Sequence, residues 1–255
     1  MTIWLEAGFW GLVAGSALVL GAAIAWIWNI PRAVTAAVMA FGAGVLISTL
    51  AFDLVEEAES IGGIRPTALG LLGGSAAYIL ANLAVNRYGA AHRKRSDEIQ
   101  VSEDEQPGSG TAIAIGALLD GVPESIVLGM SLIGGGGVGV PVLAGIFISN
   151  VPEGLSSTSG MKLSGRSARY VFGVWVGIAL ACGVAALLGC VAFEDATPRT
   201  VALINSIAAG SILAMIADTM IPEAYRDSSN KYQLWTGFIT TLGFITAFTI
   251  SHFGV

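Results

Sequence analysis

Eight apolar stretches, each about as long as a bilayer is thick, divide this chain. A membrane-spanning helix needs ~20 mostly apolar residues. The runs Phe9–Trp28, Ala33–Phe52, Thr67–Tyr88, Thr111–Ile133, Val138–Ser159, Ala168–Phe193, Val201–Ile221 and Leu234–Phe253 each satisfy that rule. The expectation is an all-α membrane protein of eight transmembrane helices, forming one multi-pass domain over residues 1–255. Composition agrees. Only 12% of residues are charged, against about 25% in soluble domains. Glycine, at 34 residues, is abundant in the way that close helix packing in lipid favours. The segment before the first run carries no Lys or Arg, and the run exceeds a signal-peptide core, so it is read as a retained span.

The loops then set an orientation. With the N-terminus outside, the inside loops hold Arg32; Arg87, Arg93, Lys94 and Arg95; Lys162, Arg166 and Arg169; and Arg226 and Lys231. The outside loops hold only Arg65 and Arg199. The positive-inside rule places both termini outside the cytoplasm, in a cell membrane. The charge balance of −6, without a basic face, argues against nucleic acid as a partner. The segment from Gly89 to Gly110, basic first and acidic later, predicts a mobile inside loop. G-x-x-x-G spacings at Gly11/Gly15, Gly70/Gly74 and Gly173/Gly177 predict close helix contacts. Cys182 and Cys190 are eight residues apart in one run, about 12 Å along a helix. That is beyond disulfide reach, and both read as packing residues.

Acids inside these runs are the informative exception. Asp120, Glu124, Glu153, Asp218 and Glu223 lie in apolar spans or at their inner ends. A carboxylate at the bilayer centre is costly and marks function by default. The spans hold no Lys to pair with them, which also excludes a retinal Schiff base. Such a set of acids suits a transported cation, with protons as competitors. Span four reads Asp120-Gly121-Val122-Pro123-Glu124, span five Ser149-Asn150-Val151-Pro152-Glu153-Gly154, and span seven ends Asp218-Thr219-Met220-Ile221-Pro222-Glu223. Asp120 and Glu124 share one helix face, and Ser149, Asn150 and Glu153 share another. Each mid-helix proline loosens the backbone beside its carboxylate. Spans four and five are joined by a short Gly134–Gly139 link, so Glu124 and Glu153 are expected at similar depth, facing each other.

These paired Pro-Glu motifs resemble those of the ZIP family of divalent metal transporters. The eight spans, the outside termini, the long inside loop and the span-two segment from Gly42 to Ala58 resemble that family too. The resemblance implies a ZIP-like bundle with a mid-membrane metal site on helices four and five. Glu124 and Glu153 match the family's ligating or bridging glutamates. Asp120 stands where span four carries His, Gly121 where it carries Asn, Ser149 where span five has His or Gln, and Asn150 where it has an acid. Asp218 matches an acid of span seven. The implied metal residues are Asp120, Glu124, Asn150 and Glu153, with Ser149, Asp218 and Glu223 beside them.

The sequence departs from the family in lacking intramembrane histidine. Its two are His92, in the long loop, and His252, at the end of the last span. Oxygen-only donors weaken a preference for zinc and lean toward harder ions. The expected function is inward transport of a divalent cation, with Zn2+ first on the family's account and Mn2+ or Fe2+ as alternatives. No tightly bound cofactor is expected. The expected partners are the metal ion, the lipid bilayer and a second copy in a homodimer. Acids Asp53, Glu56, Glu57 and Glu59 at the outer end of span two would concentrate cations. The alternative is a non-transporting ZIP-like metal-binding or regulatory membrane protein. Intramembrane enzymes fit poorly: no H-E-x-x-H occurs, and an Asp120–Asp218 protease pair would need those two residues face to face.

Overall fold

The structure is a computed structural model that describes residues 2–87, 109–133, 138–226 and 230–253. Long apolar runs rich in Ala, Leu and Gly have no better solution than the helix, which satisfies its own backbone polar groups. Among the described residues the chain is all-helical, with no strand. Eight rods follow one another: α1 (Ile3–Ile27), α2 (Arg32–Gly62), α3 (Ile64–Val85), α4 (Ser109–Met130), α5 (Val140–Leu163), α6 (Ala168–Phe193), α7 (Pro198–Tyr225) and α8 (Asn230–Phe253). Six of them, α1, α2, α3, α6, α7 and α8, are long and apolar enough to cross a membrane. The other two, α4 and α5, have 22 and 24 residues and carry Pro123 and Pro152 inside continuous helix. Most of the long loop and His92 lie outside the described residues.

The surface is consistent with a lipid solvent. Leu69, Leu72, Ile79, Leu80 and Leu83 of α3 are exposed, as are Phe238, Leu242 and Ile245 of α8. Soluble monomers do not leave apolar faces of this extent uncovered. Exposed Trp4 and Trp28 stand at the two ends of α1, and exposed Trp235 near the start of α8. Tryptophan at helix ends fits a membrane interface.

Several helices run further than their apolar stretches foretell, α2 and α7 among them. α2 passes Phe52 and continues through Asp53, Glu56, Glu57 and Glu59, so these acids stand on helix. α7 starts at Pro198, with Thr197 capping it by accepting from the Thr200 amide. Both change pitch at the same place: Leu50–Val55 of α2 and Ile216–Met220 of α7 are π-helical turns. Such turns interrupt long helices where a side chain must be re-aimed, commonly at functional sites.

That match belongs to a wider repetition. A Cβ on Gly44 of α2 would run into the Thr240 carbonyl of α8, and one on Gly243 of α8 into that of Phe41. A Cβ on Gly210 of α7 would strike the Leu71 carbonyl of α3, and one on Gly74 of α3 that of Ile207. The α2–α8 contact is thus reproduced, residue for residue, by α7–α3. The α1–α5 contact (Gly21 on Val151, Gly154 on Leu18) is likewise mirrored by α6–α4 (Gly189 on Ile126, Gly129 on Ala186). All four pairs are antiparallel. Helices α1–α3 and α6–α8 are therefore two copies of one three-helix unit, inverted with respect to each other. Repeats of this kind place a site at their interface in many transporters, and α4 and α5 occupy that interface.

The glycine spacings sort accordingly. Gly11 and Gly15 close onto Cys182, Ala186 and Ala179, and Gly70 and Gly74 onto Ser206 and Ile207. A Cβ on Gly173 or Gly177 would meet nothing within 4 Å, so the third spacing makes no close contact among the described residues.

Candidate functional site

The interior of this bundle is polar where α4 and α5 meet their neighbours. Asp120, Glu124, Ser149, Asn150 and Glu153 are all buried. The carboxylates Glu124 and Glu153 come from different helices, yet both act electrostatically on one atom, the Cys182 thiol of α6. Ser125 hydrogen-bonds the same thiol, which also points at the Gly121 carbonyl across 4.0 Å. Both Pro-Glu motifs thus lie within electrostatic reach of this buried thiol. Room for the sulfur comes from Gly121: a Cβ there would lie 3.2 Å from Sγ. Cys190, by contrast, is a packing residue, set among Ala7 and Leu132.

Each remaining candidate is fixed by a named contact. The Tyr78 hydroxyl of α3 donates to Asp120 Oδ1 at 2.8 Å. Asn150 Nδ2 donates to the Ala14 carbonyl of α1 at 3.0 Å, which leaves its side-chain oxygen as the available ligand atom. Ser149 bonds back to the Ile146 carbonyl of its own helix at 3.0 Å. Pro152 packs against α2, its Cγ 2.9 Å from where a Cβ on Gly42 would be.

Asp218 and Glu223 part company. Asp218 sits on the π-helical turn of α7, exposed, and accepts from Asn82 Nδ2 of α3 at 3.3 Å. Glu223 is buried and accepts from Ser156 Oγ at 3.1 Å. Ser156 follows Glu153 by three residues, so Glu223 lies about one helical turn along α5 from Glu153. Asp120 and Asp218 have different partners, Tyr78 and Asn82, one turn apart on α3.

Among the described residues, no three His, Cys, Asp or Glu side chains gather closely enough to hold a metal by themselves. A small cavity reaches Glu124 from the side of α2. Leu46, Thr49, Leu50, Leu54, Val127, Val142, Ile146 and Ile212 line the rest of it. Its volume is about 10 Å³, room for about one water. Thr49 is buried, and its hydroxyl has no hydrogen-bond partner among the described residues.

Sequence reasoning overlooked Tyr78 and Asn82, and read Cys182 as a packing residue, in keeping with its apolar cluster, without its polar neighbours. The first two had a signal: they are the polar pair, four residues apart, on an otherwise apolar stretch of α3. Cys182 had none, because its partners lie on other helices. No protein-family model matches the sequence, and no curated protein matches it.

Proposed function

We propose that the chain is a divalent metal transporter of the ZIP kind, with eight membrane spans, both termini outside, and a cation site between α4 and α5. The observation that carries this reading is the burial of Asp120, Glu124 and Glu153 on two proline-interrupted helices inside an apolar bundle. Buried carboxylates on separate helices offer a cation the charge and oxygen atoms that lipid denies it. Asp120 and the Asn150 side-chain oxygen stand on the same two helices. Since His, Cys, Asp and Glu alone do not form a three-ligand cluster among the described residues, amide and hydroxyl oxygens complete the coordination. Such a donor set favours Mn2+ and other hard or borderline ions more than a histidine site does. Zn2+ remains within its range through the carboxylates. Glu223, with Ser156, is the next carboxylate on the way inward.

The test is metal uptake into proteoliposomes, measured for Zn2+, Mn2+ and Fe2+. The wild-type protein carries flux, and Glu124→Gln and Glu153→Gln each remove it while the purified proteins stay folded. Equal flux from wild type and both variants sinks the reading. Stoichiometric metal binding by Glu124 and Glu153 without any flux favours the regulatory, non-transporting alternative.

A further inference from the structure

Where α1 stops, α2 starts and α5 stops, the bundle holds a cavity that metal transport does not use. Trp28 and Asn29 from the end of α1, Arg32 from the start of α2, and Ser159, Lys162 and Leu163 from the end of α5 line it. Its volume is about 470 Å³, within the range of small-molecule sites. Among the described residues, no Asp or Glu lines it.

Lys162 gives this cavity a charge that its partners do not cancel. Its Nζ donates to Asn29 Oδ1 at 2.9 Å and to the Trp26 carbonyl at 3.0 Å, with the Ala25 carbonyl at 3.5 Å. All three are neutral oxygens, so they aim the ammonium and leave its charge in place. With its oxygen on the ammonium, the exposed Asn29 amide keeps its two N–H donors for another acceptor. Arg32 brings a second cation to the same wall. α2 begins at that residue with no side-chain cap and no acid in its first turn, so the positive end of its dipole adds to the field. The lip is apolar: Trp28 and Leu163 are both exposed. Around the first turns of α2 the surface also becomes apolar. There Ala33, Ala36 and Ala37 line a groove with Trp235, Phe238 and Leu242 of α8, about 400 Å³ in volume.

We propose that this cavity binds the phosphate headgroup of an anionic membrane phospholipid. Arg32, Lys162 and the Asn29 amide hold the phosphate, and the acyl chains lie along the apolar flank of α2. Charge complementarity selects an anion. The apolar lip and the neighbouring groove select an anion carried on lipid over a free one. Basic pockets at the ends of membrane helices recognise anionic headgroups in this way. The bound lipid joins the end of α1, the first turn of α2 and the last turn of α5. The site stands apart from Glu124 and Glu153 and needs no metal.

The experiment is native mass spectrometry of the full-length purified protein in a neutral detergent, titrated with phosphatidylglycerol or with phosphatidylcholine of the same chains. One phosphatidylglycerol is expected to bind about tenfold more tightly than phosphatidylcholine. Arg32→Gln and Lys162→Gln each lower the phosphatidylglycerol affinity by about fivefold and leave phosphatidylcholine unaffected, whereas Lys162→Arg keeps the preference. Phosphatidylglycerol also raises the unfolding midpoint of the wild type more than that of Lys162→Gln. Arg32 is exposed, so Arg32→Gln keeps the fold and tests the site even if Lys162→Gln does not. Equal affinity for the two lipids overturns the proposal, and so does wild-type phosphatidylglycerol affinity in Arg32→Gln. Displacement of the bound lipid by millimolar inorganic phosphate overturns it as well, because the site then takes a free anion.

Discussion

The Tyr78 hydroxyl donates to Asp120 Oδ1 across 2.8 Å, tying α3 of one inverted unit to α4 at the interface. Tyr78 is buried at 2% exposure and Asp120 equally so. A hydrogen bond to a buried carboxylate contributes roughly 1.5–3 kcal/mol. Tyr78→Phe keeps the ring and removes only the donor. It is expected to lower unfolding stability by about 2 kcal/mol, measured by denaturant titration in mixed micelles. It is also expected to shift metal affinity, because Asp120 loses a partner that fixes its orientation. Unchanged stability together with unchanged affinity would mean that the contact holds nothing in place.

The glycines at the mirrored contacts should respond quite differently from a glycine that faces open space. Gly74→Leu on α3 forces a side chain into the Ile207 carbonyl, and Gly210→Leu on α7 forces one into that of Leu71. Overpacking against backbone typically costs 1–3 kcal/mol, and about 3 or more is expected here because neither carbonyl can move away. Gly173→Leu on α6 meets open space and should stay within about 0.5 kcal/mol of the parent. The yield of monodisperse protein and its unfolding midpoint check all three. Loss of folding in Gly173→Leu would show that this face is covered by something beyond the chain.

Gly121 and Cys182 should be coupled. A side chain at 121 starts 3.2 Å from the sulfur, closer than ordinary packing allows. Gly121→Asn alone is therefore expected to destabilise. Cys182→Ala alone costs the packing of one buried atom. The double variant recovers part of the first loss, with an interaction energy on the order of 1 kcal/mol. Strict additivity in the four-variant cycle would rule out direct contact between the two positions.

Lys162, near the end of α5, closes α1. Its Nζ donates to the Trp26 carbonyl at 3.0 Å and to Asn29 Oδ1 at 2.9 Å. A cation on the last carbonyls of a helix stabilises it by roughly 0.3–1 kcal/mol. Lys162→Met keeps the stem and removes that charge. It should cost about that much and raise hydrogen exchange at the C-terminal turn of α1. An unchanged exchange pattern would leave the contact without consequence.

The helices were legible because the length of an apolar run is a direct physical requirement of a bilayer. Their ends were less so. The run of α2 ends at Phe52 in apolarity, but its acids continue the helix, with Ser251 on Asp53 and Asn205 on Glu57. Nothing local announces partners nearly 200 and 150 residues away. Glu124 and Glu153 stood out as acids in apolar sequence, and both are buried where α4, α5 and α6 meet. Cys182 did not stand out, since its role beside them depends on Gly121, a residue whose contribution is the absence of a side chain. The inverted repeat was equally hidden. α2 and α7 share the glycine and alanine positions that backbone contacts demand, while lipid accepts any apolar residue at most others.

That repeat gives the molecule its own internal standard. A substitution at Gly44 has a twin at Gly210, and one at Gly74 a twin at Gly243, in the same packing but at opposite ends of the bundle. Where the twins respond alike, the cause is local packing. Where they differ, the difference measures how unequally the two ends are built. Glu57, open to solvent, and Glu223, sealed at 3% exposure, are one pair in which that inequality shows.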